Sequence, residues 1–127
     1  MDIADEFHEL DEINHCGFAL LQYTVSLPEG RVTFENKNGR WIFDPNYVTL
    51  QIHYKRSNNI RISLRGNPNE LEIHDELPLK AGMAGYSECS FECPSQMFAA
   101  TSYIRRAFQI YNKGRNRNHT KPITINE

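Results

Sequence analysis

The chain has few of the features that would assign a function at once. In 127 residues it has three cysteines, an odd number that argues against a secreted disulfide framework. No apolar run approaches the roughly 20 residues a membrane span needs. The first stretch, MDIADEFHELDEI, lacks the basic and apolar segments of a secretory leader. The expected setting is therefore reducing and cytoplasmic, with no membrane contact, and the NHT triplet at 118–120 carries no weight as a glycosylation signal. There is no P-loop, no G-x-S-x-G elbow, no dinucleotide fingerprint and no H-E-x-x-H. Neither a cofactor nor a metal is expected.

Charge is also missing locally. Residues 1–30 contain seven acids and no Lys or Arg, whereas residues 94–126 contain six bases and no acid. The net charge of −2 hides this polarity between the two ends. A hydrophobic content of 39% with 24% charged residues describes an ordinary globular chain, and the length suits one domain with a real core.

Hydrophobic spacing outlines the fold. Ile3, Phe7, Leu10 and Ile13 recur at helical intervals and predict a first helix over 2–14, closed by Gly17. FALLQYTVSL at 18–27 reads as a buried strand. Residues 31–35 and 40–44 read as strands around an NKNG turn, with Val32 and Phe34 facing inward. In YVTLQIHYKRSNNIRISLRG, residues 47–66, Val48, Leu50, Ile52 and Tyr54 alternate with polar positions, and so do Ile60, Ile62 and Leu64. This predicts a hairpin pairing Tyr54–Ile60, Ile52–Ile62 and Leu50–Leu64 around an odd loop centred on Ser57, because only same-parity pairs put both apolar sets on one face. Residues 67–83 read as loop, 84–93 as a further strand, and 95–112 as a helix capped by Ser95 and stopped by Gly114. Its expected apolar side is Met97, Ala100, Ile104, Ala107, Phe108 and Tyr111. The predicted architecture is α+β: an antiparallel sheet of about five or six strands with an N-terminal and a C-terminal helix on one face. One domain spans 1–114, followed by a polar, basic, mobile tail at 115–127.

ECSFEC at 88–93 invites a metal or disulfide reading. On a strand, Cys89 and Cys93 share a face with Phe91, but positions four apart lie about 13 Å from each other. A disulfide needs Cα atoms within about 7 Å, and a single zinc with bonds of about 2.3 Å cannot be reached by both thiols. They are expected to be separate, reduced and mostly buried core residues.

Two surfaces carry the candidate binding residues. On the polar side of the central hairpin, His53 is expected opposite Arg61, with Lys55 and Arg65 nearby and Tyr47 and Thr49 adding an aromatic ring and a hydroxyl. Cations interleaved with an aromatic on a sheet face suit a nucleic-acid backbone and a stacked base, although a solvated outer face has the same composition. The second surface is Arg105, Arg106, Lys113, Arg115 and Arg117, which also complement a helix C-terminus. Asp75 and Glu76 with Lys80 and a histidine, or Asp44 with Lys55, would be the parts of a metal-dependent hydrolase or nuclease, but Pro78 interrupts the first set.

From the 47–66 hairpin through YIRRAFQIYNK, including IRRAF at 104–108, the chain resembles small bacterial domains labelled "predicted transport protein", which also occur attached to restriction-type nucleases. The resemblance covers about the last two-thirds of the chain, brings no catalytic motif, and implies a noncatalytic accessory module in a DNA-handling or defence setting. The competing expectations are a binding module for nucleic acid or for a nucleic-acid-handling protein, a homo-oligomer in which the acidic helix 2–14 meets a neighbour's basic helix, and a small metal-dependent hydrolase.

Overall fold

The computed structural model describes residues 3–10, 12–28, 33–37, 39–52 and 58–117, with side chains through 113. Among the described residues, six strands form one antiparallel sheet in the order β1-β2-β3-β4-β6-β5. They are β1 (Thr33–Lys37), β2 (Arg40–Asp44), β3 (Val48–Ile52), β4 (Ile60–Arg65), β5 (Lys80–Ala81) and β6 (Tyr86–Phe91). Two helices precede the sheet, α1 (Ile3–His8) and α2 (Asn14–Ser26), and α3 (Met97–Arg117) follows it. The architecture is α+β, as the hydrophobic spacing predicts.

Strict alternation builds the core side of the sheet. Leu50, Ile60 and Leu64 are fully buried, with Val48, Ile62 and Phe43 beside them, while Thr49, Arg61, Ser63 and Arg65 stay half-exposed on the other face. Against the apolar side lies the α3 stripe Ala99, Ala100, Tyr103, Ile104, Ala107 and Phe108, all fully buried. These positions repeat at three and four residues, so one side of the helix meets β3 and β4. Met97 and Tyr111, expected in that stripe, are only half-buried at its ends.

The segment expected to be a strand at 18–27 is instead the body of α2. Its buried positions are Ile13, Gly17, Leu20, Thr24 and Leu27, which is a helical stripe. Two of them, Gly17 and Thr24, are not apolar by type, so the helical period is hidden and 18–27 reads as a short apolar run. Thr24 satisfies its own hydroxyl by donating to the Leu20 carbonyl at 2.8 Å. Gly17 therefore lies inside a helix and does not end one. A Cβ there would sit 2.7 Å from Cδ1 of Phe7, so the missing side chain lets α1 cross α2 closely. The helix expected over 2–14 is broken, with α1 ending at His8, although Ile3, Phe7, Leu10 and Ile13 are all buried as anticipated.

Four smaller expectations change. The central hairpin keeps same-parity pairing but is displaced by two residues: Val48 faces Leu64, Leu50 faces Ile62 and Ile52 faces Ile60, so the pairings centre on residue 56 and not on Ser57. Tyr54 lies outside the described residues, as does Val32. Phe34 does turn inward, onto Phe43 with ring centroids 5.2 Å apart, but at the sheet edge it remains 36% exposed. Ser95 is not the cap of α3, because a 3-10 turn, Pro94–Gln96, leads into the helix. Gln96 Oε1 folds back to accept the backbone N–H groups of Glu92 at 2.7 Å and Cys93 at 3.3 Å. Nor does Gly114 stop the helix, which runs on to Arg117. Within 67–83, read as loop, β5 forms a short edge strand on β6.

All three cysteines are free thiols. Cys89 is buried among apolar side chains, and this burial, with the nearby Glu88 charge, pushes its thiol up to about 12. Cys93 lies past the end of β6 and is half-buried, so it does not share the strand face with Cys89 and Phe91. Among the described residues no helix is long and apolar enough to cross a membrane.

Candidate functional site

The sheet places Arg61 and Arg65 on the solvent side of β4, as alternation requires, but each is engaged there. β6 is the neighbour of β4, with Ser63 opposite Glu88 and Arg61 opposite Ser90. This brings the Glu88 carboxylate onto the Arg61 guanidinium in a part-buried ion pair, and Lys80 on β5 approaches the second carboxylate oxygen at 3.3 Å. Burial pushes the Glu88 pKa up, yet the hydrogen bonds and charges of Arg61 and Lys80 outweigh it and hold the carboxyl below its ordinary value. Arg65 donates to the Asn46 carbonyl at 3.3 Å and to the Tyr86 hydroxyl at 3.1 Å. Its guanidinium carbon lies 5.3 Å from the ring centroids of both Tyr86 and Tyr111, which ties the end of β4 to the last turns of α3.

The rest of the expected basic sheet face changes accordingly. Gln51, not His53, stands opposite Arg61. His53 and Lys55 lie outside the described residues. Tyr47 turns into the core, fully buried, where its hydroxyl donates to the Thr24 carbonyl and its ring meets Phe108 edge-on at 4.8 Å. Two shallow cavities of about 350 and 280 Å³ open on either side of the Arg61–Glu88 pair, the first beside Leu77, Lys80 and Gln96, the second over Thr49, Ser63 and Tyr86.

The second expected cluster is on the far side of α3. Arg105, Arg106 and Lys113 are exposed, whereas the sheet-facing positions of the helix are buried. The structure thus separates Arg61 from Arg105 and Arg106 by the thickness of the core. Arg115 and Arg117 belong to the last turn of α3, but their side chains lie outside the described part.

Beside this outer side of α3 runs the segment 70–77, and a set of hydrogen bonds fixes it antiparallel to the helix. Arg106 Nε donates to the Glu70 carbonyl at 3.0 Å. The Tyr103 hydroxyl accepts the His74 N–H at 2.7 Å and donates to the Leu77 carbonyl at 2.8 Å. Gln96 Nε2 donates to the Glu76 carbonyl at 3.0 Å. Burial raises the Tyr103 pKa above its ordinary value and outweighs the lowering by the His74 N–H bond, with the Glu76 and Asp75 charges adding to the rise, so the phenol stays protonated and able to donate. Leu71 is buried, Glu72 takes a φ of 58°, and the chain turns so that Ile73 is left 56% exposed. The His74 ring packs edge-on between Phe98, at 5.6 Å, and Tyr103, at 5.4 Å. Phe98 is 70% exposed.

Phe98, Ile73 and His74 were not among the sequence-level candidates. The available signal was Phe98 itself, which falls outside the 100/104/107/108 stripe and on the same side as Ser102 and Arg105. Of the parts of a hydrolase, His74 Nδ1 comes within 3.8 Å of Glu76 Oε1, but no group of three or more His, Cys, Asp or Glu side chains converges among the described residues. In comparisons with known proteins, no family model matches the chain, and neither a curated protein nor a solved structure matches it.

Proposed function

We propose that the protein is a noncatalytic binding module that meets a protein partner with the outer side of α3 and the 70–77 segment held beside it. The observation that carries this reading is the exposure of Phe98 and Ile73, at 70% and 56%, on backbone held by hydrogen bonds. Single exposed apolar residues are ordinary on a protein surface. Two large ones close to one histidine on a fixed scaffold, Phe98 against its ring and Ile73 next to it in the chain, are the anchors from which interfaces are built. The rim is charged, with Asp75, Glu76, Arg105 and Arg106 all exposed.

Nucleic acid has less support as the ligand. Arg61 faces Glu88, Arg65 is held by Asn46, Tyr86 and Tyr111, and the exposed Arg105, Arg106 and Lys113 of α3 lie across the core from both. In the acidic N-terminal segment Glu6 is engaged within the chain, accepting a hydrogen bond from the Trp41 indole at 2.8 Å, while Asp5, Glu9 and Glu12 are exposed.

The test compares wild type with the double variant Ile73→Ser/Phe98→Ser, whose sites are exposed enough to leave folding intact. Mass by light scattering and binding to a labelled mixed-sequence oligonucleotide pool at low salt are measured for both. The module reading expects the variant to lose the association that wild type shows. Salt-dependent oligonucleotide binding that survives in the variant, and is lost on replacing Arg115 and Arg117 by Gln, would overturn it in favour of a nucleic-acid surface elsewhere.

A further inference from the structure

The geometry points to a second copy of this chain as the partner of the α3 surface, docked about a twofold axis that passes close to Ser102. This rests on the reading that the surface is a binding face, and adds which molecule it binds.

The argument comes from how the patch is ordered along the helix. At the start of α3 lie the exposed acids Asp75 and Glu76, anchored there by the Gln96 bond to the Glu76 carbonyl. Next comes Phe98, with the His74 ring against it. At the other end stand Arg105 and Arg106, the latter held at its position by the Glu70 carbonyl. Phe98 and Arg105 are seven residues apart, two helical turns and about 10 Å along the same side. Ser102 lies between them, a small half-buried residue that lets two helices approach closely. The Glu70 carboxylate is turned the other way and accepts the Asn67 N–H at 2.8 Å, and Arg106 also donates to Gln109 Oε1 at 3.4 Å along its own helix.

An isologous interface places the same patch on itself, reversed. With the axis at Ser102, each acidic end meets the other copy's basic end. Each Phe98 then lies beneath the other copy's Arg105 and Arg106. Every contact occurs twice. An exposed aromatic face is covered by a guanidinium, which is favourable electrostatically as well as by burial. The same guanidinium groups reach the Asp75 and Glu76 carboxylates, a pairing arginine makes with good geometry. The antiparallel α3 pair also sets the opposite ends of the two helix dipoles side by side.

A pair of charge-reversed variants tests this. Arg105→Glu/Arg106→Glu alone sets acid against acid at both ends of the interface. Asp75→Arg/Glu76→Arg alone sets base against base. Mixed, the two variants are complementary at both ends of a heterodimer. Sedimentation equilibrium should show wild type self-associating, each variant at least about tenfold weaker, and the equimolar mixture restored towards wild type. A structural disturbance would not be repaired by mixing, so recovery is the diagnostic result. Wild type that stays a single chain at several hundred micromolar, variants that dimerise like wild type, or a mixture that stays monomeric would each overturn the inference. If wild type is monomeric while Ile73→Ser/Phe98→Ser abolishes oligonucleotide binding, the face is a nucleic-acid surface, and both the second copy assigned here and the protein-partner reading are wrong. If that variant alters no association at all, the surface reading itself fails.

Discussion

Gly17→Ala is the sharpest probe of how the N-terminal helices pack. Gly17 sits within α2, so by helix propensity alone alanine should stabilise the protein by about 1 kcal/mol. The structure opposes this gain. The new methyl would lie 2.7 Å from Cδ1 of Phe7 and 3.1 Å from two further ring carbons. Phe7 has no accessible surface, and its ring stands edge-on to Phe18 at 5.2 Å, so it has little room to withdraw. Overpacking of this kind costs about 1–3 kcal/mol, so the expected outcome is a net loss of about 1 kcal/mol. A double-mutant cycle separates the terms. Phe7→Leu removes the ring carbons that clash, so Gly17→Ala should be neutral or stabilising in that background, a coupling of about 1–2 kcal/mol. Urea unfolding followed by circular dichroism gives the four stabilities. If Gly17→Ala stabilises by about the same amount in both backgrounds, the close crossing of α1 over α2 is not there.

Four further outcomes follow from the sheet and its thiols. Ile62→Asp should abolish or nearly abolish folding, since it buries an unpaired charge. Ser63→Asp, directly opposite Glu88, should cost up to about 1 kcal/mol while Ser63→Lys costs less, and equal urea midpoints for the two Ser63 variants would contradict the β4–β6 register. Because the Glu88 pKa is lowered in the folded state, its contribution to stability is present above the ordinary carboxylate range and lost as pH falls through the depressed value. Glu88→Gln should thus be less stable than wild type near neutral pH, with the gap closing in acid, and a gap independent of pH would refute the Arg61–Lys80 account. In native protein near pH 8, Cys89 should resist iodoacetamide because its thiol is buried and pushed up to about 12, and should react once urea is added, as followed by peptide mass spectrometry. Modification of Cys89 at the same rate in both conditions would place it outside the core.

How far the chain could be read from its residues depended on which physical constraint each element rests on. Alternation within β3, β4 and β6 and the 100/104/107/108 stripe of α3 are burial signals contained in a short window, and both were legible. The α2 stripe was not, because two of its buried positions are filled by Gly17 and Thr24, one chosen for closeness to Phe7 and the other made tolerable by a bond to its own helix. The hairpin register shows a different limit. Alternation determines only the parity of pairing, so Ile52 opposite Ile60 and Ile52 opposite Ile62 bury the same faces, and the spacing does not separate them. The site depended on strand order, which no window contains. Arg61 looks like a presented cation until β6 lies beside β4 and delivers Glu88, and the crossover that does this spans residues 66–85. Phe98 is the opposite case, since its misfit with the buried stripe is visible in the sequence but has no meaning until the 70–77 segment is placed. That segment lies where it does because Tyr103, a core residue of α3, uses its hydroxyl to fix two of its backbone groups. Tyr103→Phe separates the two roles: it keeps the ring in the core and removes the clamp. It should therefore leave the sheet intact while loosening the segment that carries Ile73, Asp75 and Glu76. Hydrogen exchange confined to 70–77 would show this, and a matching loss of self-association would tie the clamp to the interface. Unchanged exchange there would mean that the Gln96 and Arg106 bonds hold the segment without Tyr103.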